Sequence, residues 1–190
     1  MKVLPSKEKL EEYFEYDGES GNLIWRPQPR EKFGSLAAYN SFNSRCLGMA
    51  AGWLHPTGYR IIRLGRVGYL GHRLVWAFHH GDDFNMKGLL IDHIDHNRSN
   101  NRIENLRVVS SNENQKNKRL TSGNKHGVLG VRFMPRQKKW RAYIGGGANA
   151  KYLGEFQEFE DAVKIRKAAE VRFGYHENHG ANAAGYPMGR

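Results

Sequence analysis

The stretch Leu89–Lys118, LLIDHIDHNRSNNRIENLRVVSSNENQKNK, sets the frame for the rest of the chain. Its apolar start, Leu89, Leu90, Ile91 and Ile94, has strand character and is interrupted by Asp92 and His93. An acid and a histidine at the end of a buried strand are costly unless they are paired or bind something. A polar loop with Asn97, Asn100, Asn101 and Asn105 follows, then a β-branched run, Leu106–Val109. Ser110 with Glu113 three positions on forms a capping box, which predicts a helix carrying Asn114 and Asn117 on its first turns. The order strand, loop, strand, helix can aim the end of the first strand and the first helical turn at one spot.

Asp92 and Asn114 offer hard oxygen ligands, which suit one divalent ion, Mg2+ or Mn2+, better than zinc. Magnesium commonly takes only one or two protein ligands and keeps its other positions for water and substrate phosphate. His93, beside the acid, can take a proton from water near neutral pH. A histidine that activates water and a cation that neutralises phosphate are the parts of phosphodiester hydrolysis. Each asparagine alone is ordinary Asx-turn material, and an Asp-His pair alone is ordinary structure. The ordered set is what points to catalysis.

DHIDHNRSNNRIENLRVV followed by ENQKN resembles the HNH endonuclease family, in its homing-endonuclease branch from phages and mobile introns. The preceding HRLVWAFHHG, His72 to Gly81, is similar to the helix that commonly precedes the motif there. The resemblance implies a ββα-metal unit in which Asp92 and Asn114 are metal ligands and His93 is the general base. Asn105 would be the middle residue of the motif, holding the long loop and the base in place. Products with 5′-phosphate and 3′-hydroxyl ends are implied as well. One departure is His96, where the family usually has glycine.

Net charge is +11, and it is unevenly spread: residues 1–31 hold seven acids against five bases, and the remainder is basic. Such a surface suits a polyanion, because neutralising phosphates releases counterions. An acidic membrane is the competing partner, but no amphipathic helix with clustered Lys and Arg supports it. Double-stranded DNA is therefore the expected partner, with no membrane. The chain lacks an 18-residue apolar run and an apolar signal core at its start, so a cytoplasmic protein is expected, of a bacterial host if the phage resemblance holds. A single cysteine, Cys46, excludes an intrachain disulfide and a cysteine-based zinc cluster.

Residues 1–71 are expected to form a β-rich N-terminal region. It opens with a short helix over 6–15 and a strand at Leu23-Ile24-Trp25. Loop is expected from Arg26 to Asn43, where Pro27, Pro29 and Gly34 fall. A hairpin of 59–64 and 67–70 turns across Gly65-Arg66. Arg60, Arg63 and Arg66 there suit either DNA or a solvated basic edge, and Trp53 is expected in the core. A nuclease unit spans 72–120. In it, His72 is expected to be a satisfied structural histidine, and His79 and His80 abut an acidic turn at Asp82-Asp83.

A linker, 121–127, leads to a three-stranded antiparallel sheet plus helix over 128–175. Its strands are Val128–Met134, Lys139–Ile144 and Lys151–Phe156, with a turn at 145–149. The helix runs from Phe159 to Phe173, and Phe159, Ala162, Val163, Ile165, Ala169 and Phe173 give it an apolar face. Period two puts Trp140, Ala142 and Ile144 on one face and Arg141 and Tyr143 on the other. GVLGVRF, KKWRAYI, KYLGEF and EDAVKIRKAAEVRFG, in that order, resemble the ethylene-response-factor (Apetala-type) DNA-binding domain. That resemblance implies strands that enter the major groove with a helix behind them. Arg132 fits the arginine of the first strand, and Tyr152 takes the place of a third-strand tryptophan. Leu129, Met134 and Gly145 replace expected arginines, so no target sequence transfers. Arg132, Arg141, Tyr143, Lys151 and Tyr152 are the DNA-binding candidates. The tail 176–190 is expected to be disordered.

The expected protein is thus an α+β, monomeric, metal-dependent DNA endonuclease that nicks one strand at a preferred site. The rival is a non-catalytic, sequence-specific DNA-binding regulator with an inactive HNH scaffold.

Overall fold

Ser6 accepts a hydrogen bond from Lys9 N at 3.3 Å and so caps helix α1, Lys7–Tyr13. The computed structural model describes residues 3–81, 88–120, 123–147 and 150–181. The chain divides into two compact units, Met1–Val109 and Ser110–Arg190. That division falls inside the span 72–120 expected to be one nuclease unit. The Asp82-Asp83 turn, Thr121-Ser122 of the linker, Ala148-Asn149 of the following turn and the tail beyond Ala181 lie outside the described residues.

In the first unit, strands β1, Phe14–Asp17, and β2, Asn22–Trp25, form an antiparallel hairpin. Gly21 closes its turn at φ 71°, and an added Cβ would meet Arg102 N at 2.3 Å, so only glycine lets the hairpin approach that backbone. A helix α2, Leu36–Arg45, stands where loop was expected. Ser35 caps it through Ala38 N at 3.1 Å, and Phe42 reaches Trp25 with ring centroids 5.6 Å apart. No residue of α2 is fully buried, which explains its faint apolar pattern.

The strands β3, Trp53–Leu54, β4, Arg60–Leu64, and β5, Val67–Leu70, form an antiparallel sheet in sequence order. The expected hairpin across Gly65-Arg66 is β4–β5. Trp53 is not core: it is 47% exposed, with the Arg63 guanidinium 5.9 Å from its ring. Helix α3, Gly71–His80, buries His72, Leu74, Val75 and Ala77. Leu74 and Val75 join Leu10, Phe14, Leu23, Ile62 and Leu106 in one hydrophobic core. Strand β6, Leu89–His93, pairs with β7, Leu106–Ser110.

In the second unit, Ser110 and Glu113 form the predicted capping box at the start of α4, Ser111–Gln115. The helix is shorter than expected, so Asn117 lies beyond its end. Strands β8, Val131–Met134, β9, Lys139–Ile144, and β10, Lys151–Phe156, form the antiparallel sheet in the order β10-β9-β8. Helix α5, Phe159–Arg172, packs on it over Val131, Ala142 and Ala162.

The helix face differs from the expected one. Ile165 is 39% exposed, whereas Arg166 is only 3% exposed. Arg166 donates to Leu129 O at 2.8 Å, lies 3.2 Å from His179 Nε2, and pairs with Glu170 at 3.4 Å. The segment 176–181 is held rather than loose: His176 N donates to Lys116 O at 3.1 Å, and Gly180 N donates to Lys118 O at 2.8 Å.

Candidate active site

β6 delivers Asp92 and His93 as its last two residues. His93 is buried, and its Nε2 lies 3.1 Å from the amide oxygen of Asn101, itself fully buried. A bond to an oxygen makes Nε2 the protonated nitrogen, so Nδ1 carries the lone pair that can accept a proton. Burial pushes the His93 pKa below the ordinary histidine value, and the Asn101 bond and the charges of Asp95 and Asp92 oppose that only partly. The imidazole is therefore neutral around pH 7, as a general base must be.

Two further groups shape this histidine. Gly71 opens α3 without a side chain, and a Cβ there would meet Asn101 Nδ2 at 3.1 Å and Arg60 O at 3.2 Å. The ring of His72 stands edge-on to His93, with centroids 5.0 Å apart, and Tyr59 lies 5.3 Å from His72. His72 is not the satisfied histidine expected: its Nδ1 is buried and has no hydrogen-bond partner among the described residues. Burial, then the charges of His93 and Arg73, push its pKa down to about 3.

Asn105 ties the loop together. Its Nδ2 donates to Asp95 Oδ1 at 2.9 Å and to Asn100 O at 2.8 Å, and its Oδ1 accepts from Asp95 N at 3.1 Å. Asp95 also accepts from Asn97 N at 2.8 Å and from Asn100 Nδ2 at 2.8 Å. Within that loop His96 takes φ 64°, the left-handed conformation natural to glycine. The residue expected to depart from the family pattern therefore sits where the backbone asks for glycine.

Asp92 is 12% exposed at its side chain, and its Oδ2 accepts from Arg107 Nη2 at 2.9 Å and Nε at 3.1 Å. In the sequence Asn101 is only one of four loop asparagines, and Arg107 carries no signal of a role. Arg107 stands two residues after Asn105 in β7, and only the pairing of β6 with β7 reveals its partner. Asn114 lies on α4 of the second unit. No group of three or more His, Cys, Asp or Glu suited to a metal occurs among the described residues. Magnesium and manganese take only one or two of their oxygen ligands from protein and the rest from water and substrate, so they do not need such a group, and the Asp92 carboxylate is a ligand of the kind they use.

In the second unit the register places Arg132 opposite Arg141, Arg141 opposite Glu155, and Tyr143 opposite Tyr152. Directly opposite residues share a face, so these five form the side turned away from α5. Tyr143 and Tyr152 have ring centroids 5.6 Å apart, and Arg141 is ion-paired with Glu155. Lys151 does not join them. It stands opposite buried Ile144, and its ammonium lies 5.0 Å from the centre of the Phe173 ring on the helix side.

No helix among the described residues is long and apolar enough to cross a membrane. No curated protein and no solved structure matches the chain. Residues 69–116 match the family of HNH endonucleases, which supports a nuclease and places an HNH endonuclease domain across the end of β5, α3, β6, β7 and α4.

Proposed function

We propose that the protein is a metal-dependent DNA endonuclease of the homing type that hydrolyses one phosphodiester bond per encounter. The observation that carries this is the neutral, buried His93, held through Nε2 by Asn101 beside Asp92, inside the stretch that matches the HNH family. His93 Nδ1 takes the proton of the attacking water, and Asn101 holds the imidazole in the tautomer that allows it. Asn105 keeps the loop from Asp95 to Asn100 closed, which positions Asn101 and through it the base. Asp92 and Asn114 would hold the divalent cation in a ββα-metal arrangement; when bound, the cation neutralises the phosphate and stabilises the departing oxygen.

The sheet of the second unit is the proposed DNA-binding surface. Arg132, Arg141, Tyr143 and Tyr152 give it a basic, aromatic face, and such a face outside a core calls for a partner. One catalytic constellation per chain acts on one strand, so a monomer is expected to nick. Supercoiled plasmid incubated with Mg2+ or Mn2+ tests this. Open-circle product that appears before linear product and vanishes with chelator is expected. Intact plasmid under every metal condition, with DNA still bound in a gel shift, would favour the rival, a regulator on an inactive scaffold.

A further inference from the structure

Asp92, the proposed metal ligand, is already engaged by a cation of its own chain. Both Nε and Nη2 of Arg107 point at a single oxygen, Oδ2, at 3.1 and 2.9 Å. A guanidinium carries five N–H donors and cannot lose its charge in a protein. Among the described residues the Arg107 side chain makes no other hydrogen bond, and it is 28% exposed against 12% for Asp92. The unused part of the fork is therefore open to an incoming acceptor, while the carboxylate is nearly covered.

A divalent ion arriving at Asp92 meets a guanidinium held about 3 Å from Oδ2, in a half-buried site where charges are poorly screened. Metal and guanidinium compete for one carboxylate. A second anion resolves the competition, and the ligand that brings one is DNA. The fork geometry of arginine suits a phosphate as well as a carboxylate.

We propose that Arg107 makes metal loading depend on DNA: it holds Oδ2 of Asp92 while no DNA is bound, and passes to a backbone phosphate when DNA docks, which removes its positive charge from the oxygen and lets the metal approach. Arg107 is then a positioning residue in the free protein and a phosphate contact in the complex. By linkage, DNA must raise metal affinity by the same factor as metal raises DNA affinity. The inference rests on Asp92 being a metal ligand.

The test is Mn2+ binding to the full chain, followed by electron paramagnetic resonance of free Mn2+, with and without a short duplex and with duplex alone subtracted. Asp92→Asn identifies the signal that belongs to this site. Wild type should bind Mn2+ weakly alone and about tenfold or more tightly with DNA, within the usual range of coupling between sites. Arg107→Gln should bind Mn2+ tightly without DNA and gain little from it. Arg107→Lys, which keeps the charge but loses the fork, should stay close to wild type in the absence of DNA. Thermal melts establish that each variant is folded. Equal Asp92-dependent binding by wild type and Arg107→Gln without DNA would overturn the gate and leave the metal site standing. No Asp92-dependent binding in any protein, with or without DNA, would overturn the metal site itself and the gate with it.

Discussion

The amide oxygen of Asn101 lies 3.1 Å from His93 Nε2, and both side chains are buried. Seven residues of loop, 94–100, separate the two, and the hydrogen bonds from Asn105 to Asp95 and Asn100 bring them together. The orientation of the proposed base is thus set by a residue that need not touch the substrate.

Asn101→Ala should lower kcat by about 10- to 100-fold, the range known for partners that orient a metal-bound histidine. DNA affinity should hardly change. Because the Asn101 bond raises the His93 pKa, its loss should also move the acid limb of the rate–pH profile to lower pH. In wild type that limb already lies below the ordinary histidine range, since burial depresses His93. An unchanged pH profile in Asn101→Ala would separate this residue from the base.

Gly71→Ala is a finer probe of the same relationship. The new Cβ would stand 3.1 Å from Asn101 Nδ2, so Asn101 must yield by a few tenths of an ångström. Misplacement of a reacting group by about 1 Å can cost on the order of 100-fold, so a loss of about tenfold in kcat is expected here. The variant should fold, because Gly71 is helical and not at positive φ. Full activity would mean that Arg60 gives way instead.

The sheet face makes a separate prediction. Arg132→Ala should weaken specific DNA binding by about 1–3 kcal/mol if it contacts a base edge bidentately. Tyr152→Ala should cost about as much if a base stacks on its ring. Lys151→Ala should change neither by a comparable amount, because Lys151 lies on the helix side over Phe173. Arg141→Ala also releases Glu155, so its loss should exceed that of Arg132→Ala at low salt and converge with it as salt rises. Gel shifts over a salt series measure all four. An effect of Lys151→Ala as large as that of Tyr152→Ala would move the binding surface to the opposite side.

The difference between Lys151 and Tyr152 shows where sequence patterns stop. In a strict strand, Tyr152 and Phe156 would share one face. A register shift between Tyr152 and Gly154 breaks the alternation, so Tyr152 and Glu155 face outward while Phe156 packs inward. Gly154, at φ 142°, is the one local mark of that bulge, and strict period two takes no account of it. The capping box at Ser110 and the β4–β5 hairpin were legible because each is encoded within a few residues. Helix α2 was hidden by the prolines before it and by the lack of a buried face. Arg166 escaped notice because a charged residue at a core position of α5 breaks the apolar pattern, although its spacing from Ala162 and Ala169 fits. At the site, the order of Asp92, His93 and Asn105 was readable, but Arg107 became visible only through strand pairing.

His72 supplies a prediction about stability rather than rate. Its folded pKa of about 3 lies well below the ordinary value near 6.5, because the ring is buried beside His93 with Nδ1 lacking a hydrogen-bond partner. The unfolded chain therefore binds a proton that the folded chain refuses whenever the pH lies between those two values. Stability then rises with pH across that window, and on acidification it begins to fall near pH 6.5 and levels off near pH 3. For one proton the slope is about 1.4 kcal/mol per pH unit, so between pH 7 and pH 5 this group alone should cost the fold roughly 2 kcal/mol. His93 and His79 are depressed too, and they add to the slope in the same direction. His72→Leu removes one titrating group and keeps an apolar side chain in the same packing. Denaturant unfolding at pH 7, 6 and 5 should show a shallower loss for His72→Leu than for wild type, whatever the absolute stabilities. Identical pH slopes for the two proteins would show that His72 takes up its proton in the folded state, and that the site is wetter than its burial implies.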